Sequence, residues 1–211
     1  MRIAVVSEFT PDEAAVKILT DSILGIETEL VASRRWRPRG WPSILNLLPT
    51  IIKDLHYNTN ADGLVMVVDS DETPSHDHPD PTVAVENAAC RLCQLRLVVA
   101  RESARLSAVP NRDRLKFAIG LAVPAIEAWY RCGVDPHVNE ATWIRKLQGE
   151  RVSYDKASLK RQSYGSDRAP LSVRIERAND AAERLTSDLD LLERLFPNGF
   201  GSLRRDLQDW R

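Results

Sequence analysis

Gly63-Leu64-Val65-Met66-Val67-Val68 is an unbroken apolar run that ends abruptly in Asp69-Ser70-Asp71. A run this short, valine-rich and without polar alternation fits a strand buried on both faces, as in the centre of a parallel sheet. Such a strand needs helices above and below it, so the chain around it must alternate strands with helices.

The flanking sequence supplies that alternation. Arg2-Ile3-Ala4-Val5-Val6 reads as a first strand ending at Ser7-Glu8, and Thr10-Pro11-Asp12-Glu13 reads as a helix start with proline in the first turn. Apolar residues at helical spacing run from Ala14 to Leu24 and stop at Gly25; Glu27 to Ala32 reads as a short second strand. Trp41 to Leu55 predicts a second helix containing Pro49, and Thr82 to Leu106 a long third one. Lys116 to Val123 is another apolar strand closed by Pro124, with a helix opening at Ile126. The expected fold is α/β, a mostly parallel Rossmann-like sheet of about four strands with helices on both faces. Residues 1–135 form that domain, and residues 136–211, notably Leu171 to Leu195, form a helical C-terminal extension packed on it.

A length of 211 residues suffices for one such core. No apolar run approaches the roughly 20 residues that span a bilayer, and the first residues turn acidic too soon for a secretory signal, so the expected location is cytoplasmic with no membrane partner. Three cysteines, Cys90, Cys93 and Cys132, then read as reduced thiols. A formal net charge of −1 gives no global attraction to nucleic acid, so any such contact must be local. One candidate is Arg34-Arg35-Trp36-Arg37-Pro38-Arg39-Gly40-Trp41, its guanidinium groups placed to neutralise phosphates and its tryptophans to stack on unpaired bases. A solvated loop between strand and helix accounts for that stretch equally well.

In open parallel sheets, sites form at the C-terminal strand ends, and both acidic clusters fall there. Asp69 and Asp71, if extended, point to one side roughly 6.6 Å apart along the strand. Carboxylates so close repel unless a cation or proton intervenes, and Mg²⁺ commonly takes one or two protein carboxylates plus water and phosphate. Glu8 brings a third carboxylate from another strand end, either to a metal or to a proton in transit.

These residues resemble the Toprim domain shared by topoisomerases, primases and overcoming-lysogenization-defect nucleases, whose pattern is a Glu after the first strand and a later Asp-x-Asp. The chain is more similar still to small stand-alone Toprim-like proteins of bacteria and phages, which open with a Glu-Gly-x-x-Glu-like segment and carry a Glu-Ala-Trp-like helix start. Here the matching segments are Glu8-Phe9-Thr10-Pro11-Asp12-Glu13 and Ala125-Ile126-Glu127-Ala128-Trp129-Tyr130. Phe9 stands where the glycine is expected, and one extra residue separates the acids. The resemblance spans residues 1–135, with looser echoes at Lys156 to Gly165 and Phe196 to Leu207.

The resemblance implies Glu8 in acid/base chemistry, Asp69 and Asp71 on Mg²⁺ or Mn²⁺, and breakage or joining of a nucleic-acid backbone. Glu127 would complete a second metal position or simply cap its helix. Lys160, or its neighbour Arg161, would contact phosphate or lie on a solvated helix face. No tyrosine-bearing cleavage domain is evident and a primase needs more chain, which leaves a nuclease, in a phage-defence or mobile-element setting. Related nucleases often carry an ATPase, and no Gly-x-x-x-x-Gly-Lys-Ser/Thr loop is present here, so a separate ATPase partner is implied if a motor is needed. A homo-oligomer is compatible with the same reading.

Two rivals share these residues. Asp69-Ser70-Asp71-Glu72-Thr73 also resembles the Asp-x-Asp-x-Thr motif of haloacid-dehalogenase-type phosphatases, with Asp69 as nucleophile, but that family places the motif on its first strand. A non-catalytic Toprim-like module acting with an ATPase is the other. Ser75-His76-Asp77-His78-Pro79-Asp80 offers imidazoles, and Cys90-x-x-Cys93 half a zinc site. The cysteines fall one turn apart in a helical pattern with no second pair, so they read as core packing, and the histidine loop as a border of the acidic site.

Overall fold

The computed structural model describes residues 1–31, 40–76 and 89–211. Within them the chain runs β1 (Arg2–Ser7), α1 (Thr10–Leu24), β2 (Glu29–Leu30), α2 (Trp41–Asn58), β3 (Gly63–Asp69), α3 (Arg91–Ser103) and β4 (Lys116–Ala122). The helices α4 (Ile126–Tyr130), α5 (Glu140–Leu147), α6 (Lys156–Tyr164), α7 (Leu171–Leu185), α8 (Leu189–Leu195) and α9 (Phe200–Gln208) follow. A 3₁₀ turn at Thr186–Asp188 divides the helical stretch that the sequence predicts as continuous.

The sheet is fully parallel with strand order β2-β1-β3-β4. β3, whose seven residues are all buried, lies between β1 and β4, as its apolar run requires. Because the chain steps from β1 outward to β2 and then returns to the other side of β1 for β3, the strand order reverses between β1 and β3. Right-handed crossovers put α1 on one face and α2 with α3 on the other. β2 is shorter than the expected Glu27 to Ala32, with two residues in the ladder.

Local chemistry explains the ends of these elements. Pro11 in the first turn starts α1, and Gly25, at φ 68°, closes it in the left-handed conformation that glycine adopts without a Cβ clash. Arg112 serves the C-terminal end of α2, its guanidinium donating to the carbonyls of Leu55, His56, Thr59 and Ala61. That single fork satisfies carbonyls that the helix cannot pair internally.

The C-terminal helices complete the core. α7 packs on α1, and α9 runs against β4. The outward-facing edge of β4 finds its partners there: Ile119 N–H donates to Asp206 at 2.9 Å, Leu121 N–H to the Gly199 carbonyl at 3.4 Å, and the Phe117 carbonyl accepts from the Trp210 indole at 3.2 Å. A strand edge that would otherwise template aggregation is thereby closed. Gly199 lies so close to the strand that a Cβ there would fall 2.0 Å from the Leu121 carbonyl oxygen. Glu140, the first residue of α5, holds the same turn by accepting from the Asn198 and Gly199 N–H groups at 3.1 and 3.3 Å.

Gly199→Ala is therefore expected to destabilise the protein by at least about 2 kcal/mol, because backbone must move on one side or the other; a shift in urea midpoint at constant m-value measures it. Burial raises the Glu140 carboxyl above its ordinary value, although the Asn198 and Gly199 N–H groups oppose the shift. A group raised on folding favours the folded state most when protonated, so its contribution declines as pH climbs from the unfolded value through the folded one. Glu140→Gln should lose this pH dependence, gaining on the wild type as pH rises above the ordinary carboxylate range in parallel urea titrations; a difference that does not change with pH would contradict it.

Candidate active site at the reversal of strand order

The crevice at the C-terminal ends of β1 and β3, where strand order reverses, is where ligands lodge in open α/β sheets. Glu8 directly follows β1, and Asp69 is the last residue of β3. The two are joined directly, the Asp69 N–H donating to Glu8 Oε1 at 3.1 Å. Beyond Asp69 the chain departs from the extended path the spacing implies. Ser70 N–H donates to the Ala122 carbonyl at 2.8 Å and Asp71 N–H to the Pro124 carbonyl at 2.9 Å, and Asp71 takes φ 51°. Aspartate tolerates this left-handed region better than most residues. The turn brings the Asp71 carboxylate back beside that of Asp69 instead of carrying it one pleat further along the strand.

Two cations grip this group. Lys156 Nζ lies between the aspartates, 3.1 Å from Asp69 Oδ2 and in contact with Asp71 Oδ1. Arg91 donates to the Asp69 carbonyl at 2.6 Å and to Asp71 Oδ2 at 2.7 Å, and lies 3.4 Å from Glu8 Oε1. Its guanidinium is buried and stands 5.0 Å from the Trp41 ring centroid. The remaining Asp69 oxygen, Oδ1, accepts the Ile126 N–H at 3.0 Å, which ties β3 to the start of α4. The Trp143 indole donates to the Asp71 carbonyl at 3.2 Å.

Neither cation stands out in the sequence reading. Arg91 opens a helix whose pattern is otherwise read for its apolar face. Lys156 lies 87 residues from Asp69; its local signal is Asp155-x-x-Ser158, which forms a reciprocal capping box and starts α6 with Lys156 as its first residue. Only the fold can show that this helix start faces the ends of β1 and β3.

A second layer of acids lies behind the first. Asp12 of α1 and Glu127 of α4 are both buried, and the Tyr130 hydroxyl donates to Asp12 at 3.1 Å. Burial, with Glu127 and Asp69 adding to it, holds Asp12 well above the usual carboxylate range. Burial likewise raises Glu127, reinforced by Asp69 and opposed by Lys160 and Lys156. Burial pushes Glu8 up to about 7, with Asp69 adding to the shift and Arg91 opposing it. Asp69 is raised by burial against the pull of Lys156. For Asp71 burial also acts upward, but Lys156 and Arg91 together outweigh it and hold the carboxyl low.

Five carboxyl groups thus crowd one end of the sheet, with Lys156 and Arg91 the cations in direct contact with the first layer. One oxygen each from Asp69 and Asp71 converges on the Lys156 ammonium, a pair of hard donors of the kind that a divalent cation such as Mg²⁺ or Mn²⁺ takes, and Glu8 is tied to the pair through Arg91 and the Asp69 N–H. Glu127 lies within electrostatic reach of Asp69 as a further acid. Lys160 borders the group, its Nζ 5.3 Å from the Phe9 ring centroid. Arg34, Arg35, Trp36, Arg37 and Arg39 lie outside the described residues, as do Asp77, His78 and Asp80. No helix among the described residues is long and apolar enough to cross a membrane.

Comparison with known proteins returns no match among family models, curated proteins or solved structures.

Removing Arg91 leaves Glu8 and Asp71 without their shared partner. Arg91→Met should destabilise the protein by about 3 kcal/mol, the scale of a buried charge stripped of its counter-ion. Adding Asp71→Asn to it should recover part of the loss, a non-additivity that a double-mutant cycle in urea would reveal.

Proposed function

We propose that the protein is a divalent-cation-dependent phosphodiesterase that hydrolyses nucleic acid. The observation that carries this reading is that Glu8, Asp69 and Asp71 share the strand ends where the strand order reverses, Lys156 bridging the two aspartates and Arg91 joining Asp71 to Glu8. It agrees with the Toprim resemblance of the same three residues. Asp69 and Asp71 would hold Mg²⁺ or Mn²⁺, with Glu127 a further carboxylate beside them, and the metal would supply charge stabilisation for a phosphodiester under attack.

The chain's own groups have separable tasks in this scheme. Glu8, held near neutrality by burial, is placed to take or return a proton at its carboxylate, since acid/base groups work best near the operating pH. Lys156 and Arg91 now occupy the oxygens that a divalent cation would take. Released from them, the ammonium and guanidinium become donors for the non-bridging phosphate oxygens, the guanidinium in the planar fork that suits phosphate. The Trp41 ring under Arg91 limits how far that fork can move. Lys160 and the basic stretch from Arg34 to Arg39 would extend contacts along the backbone of the substrate, where phosphate contacts set register but not sequence. A cytoplasmic setting, a separate ATPase and self-association belong to the same proposal.

The test is cleavage of plasmid and single-stranded substrates in Mg²⁺ or Mn²⁺ alongside a generic phosphomonoester. Wild type should cut the polymers only with metal, and Asp69→Ala/Asp71→Ala should be inactive. Glu8→Gln should lower the rate by roughly 10²- to 10⁴-fold, the usual worth of a positioned acid/base group. Monoester turnover without polymer cutting would instead identify a phosphatase using Asp69, and inactivity on all substrates would leave a non-catalytic module. Lys156→Met should tighten Mn²⁺ binding at least about tenfold while slowing turnover, because the ammonium competes for the oxygens of Asp69 and Asp71. Weaker Mn²⁺ binding in that variant would show that Lys156 supports the metal site rather than competing with it.

A further inference from the structure

The structure brings together three side chains that the sequence reading keeps apart. The expected start at Thr82 lies outside the described residues; α3 begins at Arg91, so Cys90 is the residue before the helix and Cys93 lies in its first turn. His76, five residues beyond Asp71, reaches the same point. Cys90 Sγ lies 3.5 Å and Cys93 Sγ 3.4 Å from His76 Nδ1, and all three candidate ligand atoms fall within 4.8 Å of one another. The three residues are buried. Packing alone gives no reason for two sulfurs to approach one imidazole nitrogen.

From this geometry we propose that His76, Cys90 and Cys93 form a zinc site, separate from the carboxylate site and built from softer ligands. A tetrahedral zinc with Zn–S near 2.3 Å and Zn–N near 2.0 Å places sulfur and nitrogen about 3.5 Å apart, the separation seen for both cysteines. In the metal-free state one thiol can donate to Nδ1 and the other to its neighbour's sulfur, so the trio also forms a hydrogen-bonded set that gives up its protons when the metal enters. Two thiolates and an imidazole select Zn²⁺ over Mg²⁺, which prefers oxygen. Binding displaces the two thiol protons to solvent, leaving Zn²⁺ on two thiolates and a neutral imidazole with one tetrahedral position for a further ligand.

The location gives the site a purpose. Arg91 lies between the two cysteines in sequence and donates to the Asp69 carbonyl and to Asp71. A metal joining Cys90 and Cys93 to His76 fixes the start of α3 against the segment that leaves Asp71. It thereby sets the position of the guanidinium that organises the carboxylates. The zinc is a positioning device for Arg91, and its existence does not depend on the activity of the neighbouring site.

Metal analysis of the full chain purified without chelator should give about one Zn²⁺ per chain. Co²⁺ added to the stripped protein should produce thiolate-to-cobalt charge-transfer absorption and the visible bands of a tetrahedral site, and Zn²⁺ should displace it with an apparent Kd below about 1 µM. Cys93→Ser and His76→Ala should lose these signals, while Cys132→Ser and Asp69→Ala/Asp71→Ala keep them. Because the first two variants can fail to fold, the wild-type cobalt titration decides alone. A folded wild type without bound zinc and without a thiolate–cobalt band overturns the proposal. So does zinc that disappears with Asp69 and Asp71 but survives Cys93→Ser, or a Cys90–Cys93 disulfide found by mass in protein from a reducing cytosol.

Discussion

The organisation of this protein depends on one buried guanidinium. Arg91 reaches Glu8 at the end of β1, the backbone and turn at the end of β3, and the Trp41 ring at the start of α2. Without a positive charge there, two strand ends that pair side by side would each present a carboxylate to the same enclosed space. Coulomb repulsion in a medium of low effective dielectric would then oppose the pairing that builds the sheet. Lys156 plays the corresponding part between Asp69 and Asp71. The apolar strands can therefore be buried with acids at their tips because helices on either side of β4 in sequence deliver cations to those tips.

What the sequence reveals is largely what has a local period. The apolar run from Gly63 to Val68 predicts a central parallel strand, and β3 is that strand, flanked by β1 and β4. Strand-ending acids predict a cluster at one end of the sheet, and Glu8 and Asp69 do meet there. The position of Asp71 was not legible, because a left-handed residue after Ser70 cannot be inferred from alternation. Cys90 illustrates a different limit. Read as part of a helix from Thr82 to Leu106 it faces a core, whereas one residue outside the helix its side chain is free to join His76. Helix boundaries are the least secure part of any reading from periodicity, and here one boundary separates a packed thiol from a candidate ligand.

Hard and soft donor groups are segregated around Arg91. Oxygens from Glu8, Asp69 and Asp71 lie toward its guanidinium, while the two cysteines that flank it in sequence meet the His76 imidazole. This separation limits cross-talk, since the carboxylates offer little to a thiophilic ion and the thiols little to magnesium. It also makes the two clusters mechanically coupled, because any shift of the first turn of α3 moves both the cysteines and the guanidinium.

The helical C-terminal third is as much a part of this arrangement as the sheet. Its first contribution is electrostatic, since Lys156 comes from α6. Its second is the backbone of β4. Ile119, Leu121 and Phe117 direct their polar groups away from β3, and the partners they find are Asp206, Gly199 and Trp210. A chain ending near residue 135 would expose that edge and leave Asp69 and Asp71 sharing Arg91 alone. The sheet supplies the acids, but the helices after it supply both the edge cover and half of the contacting positive charge, so the geometry of the candidate site is a property of the whole chain.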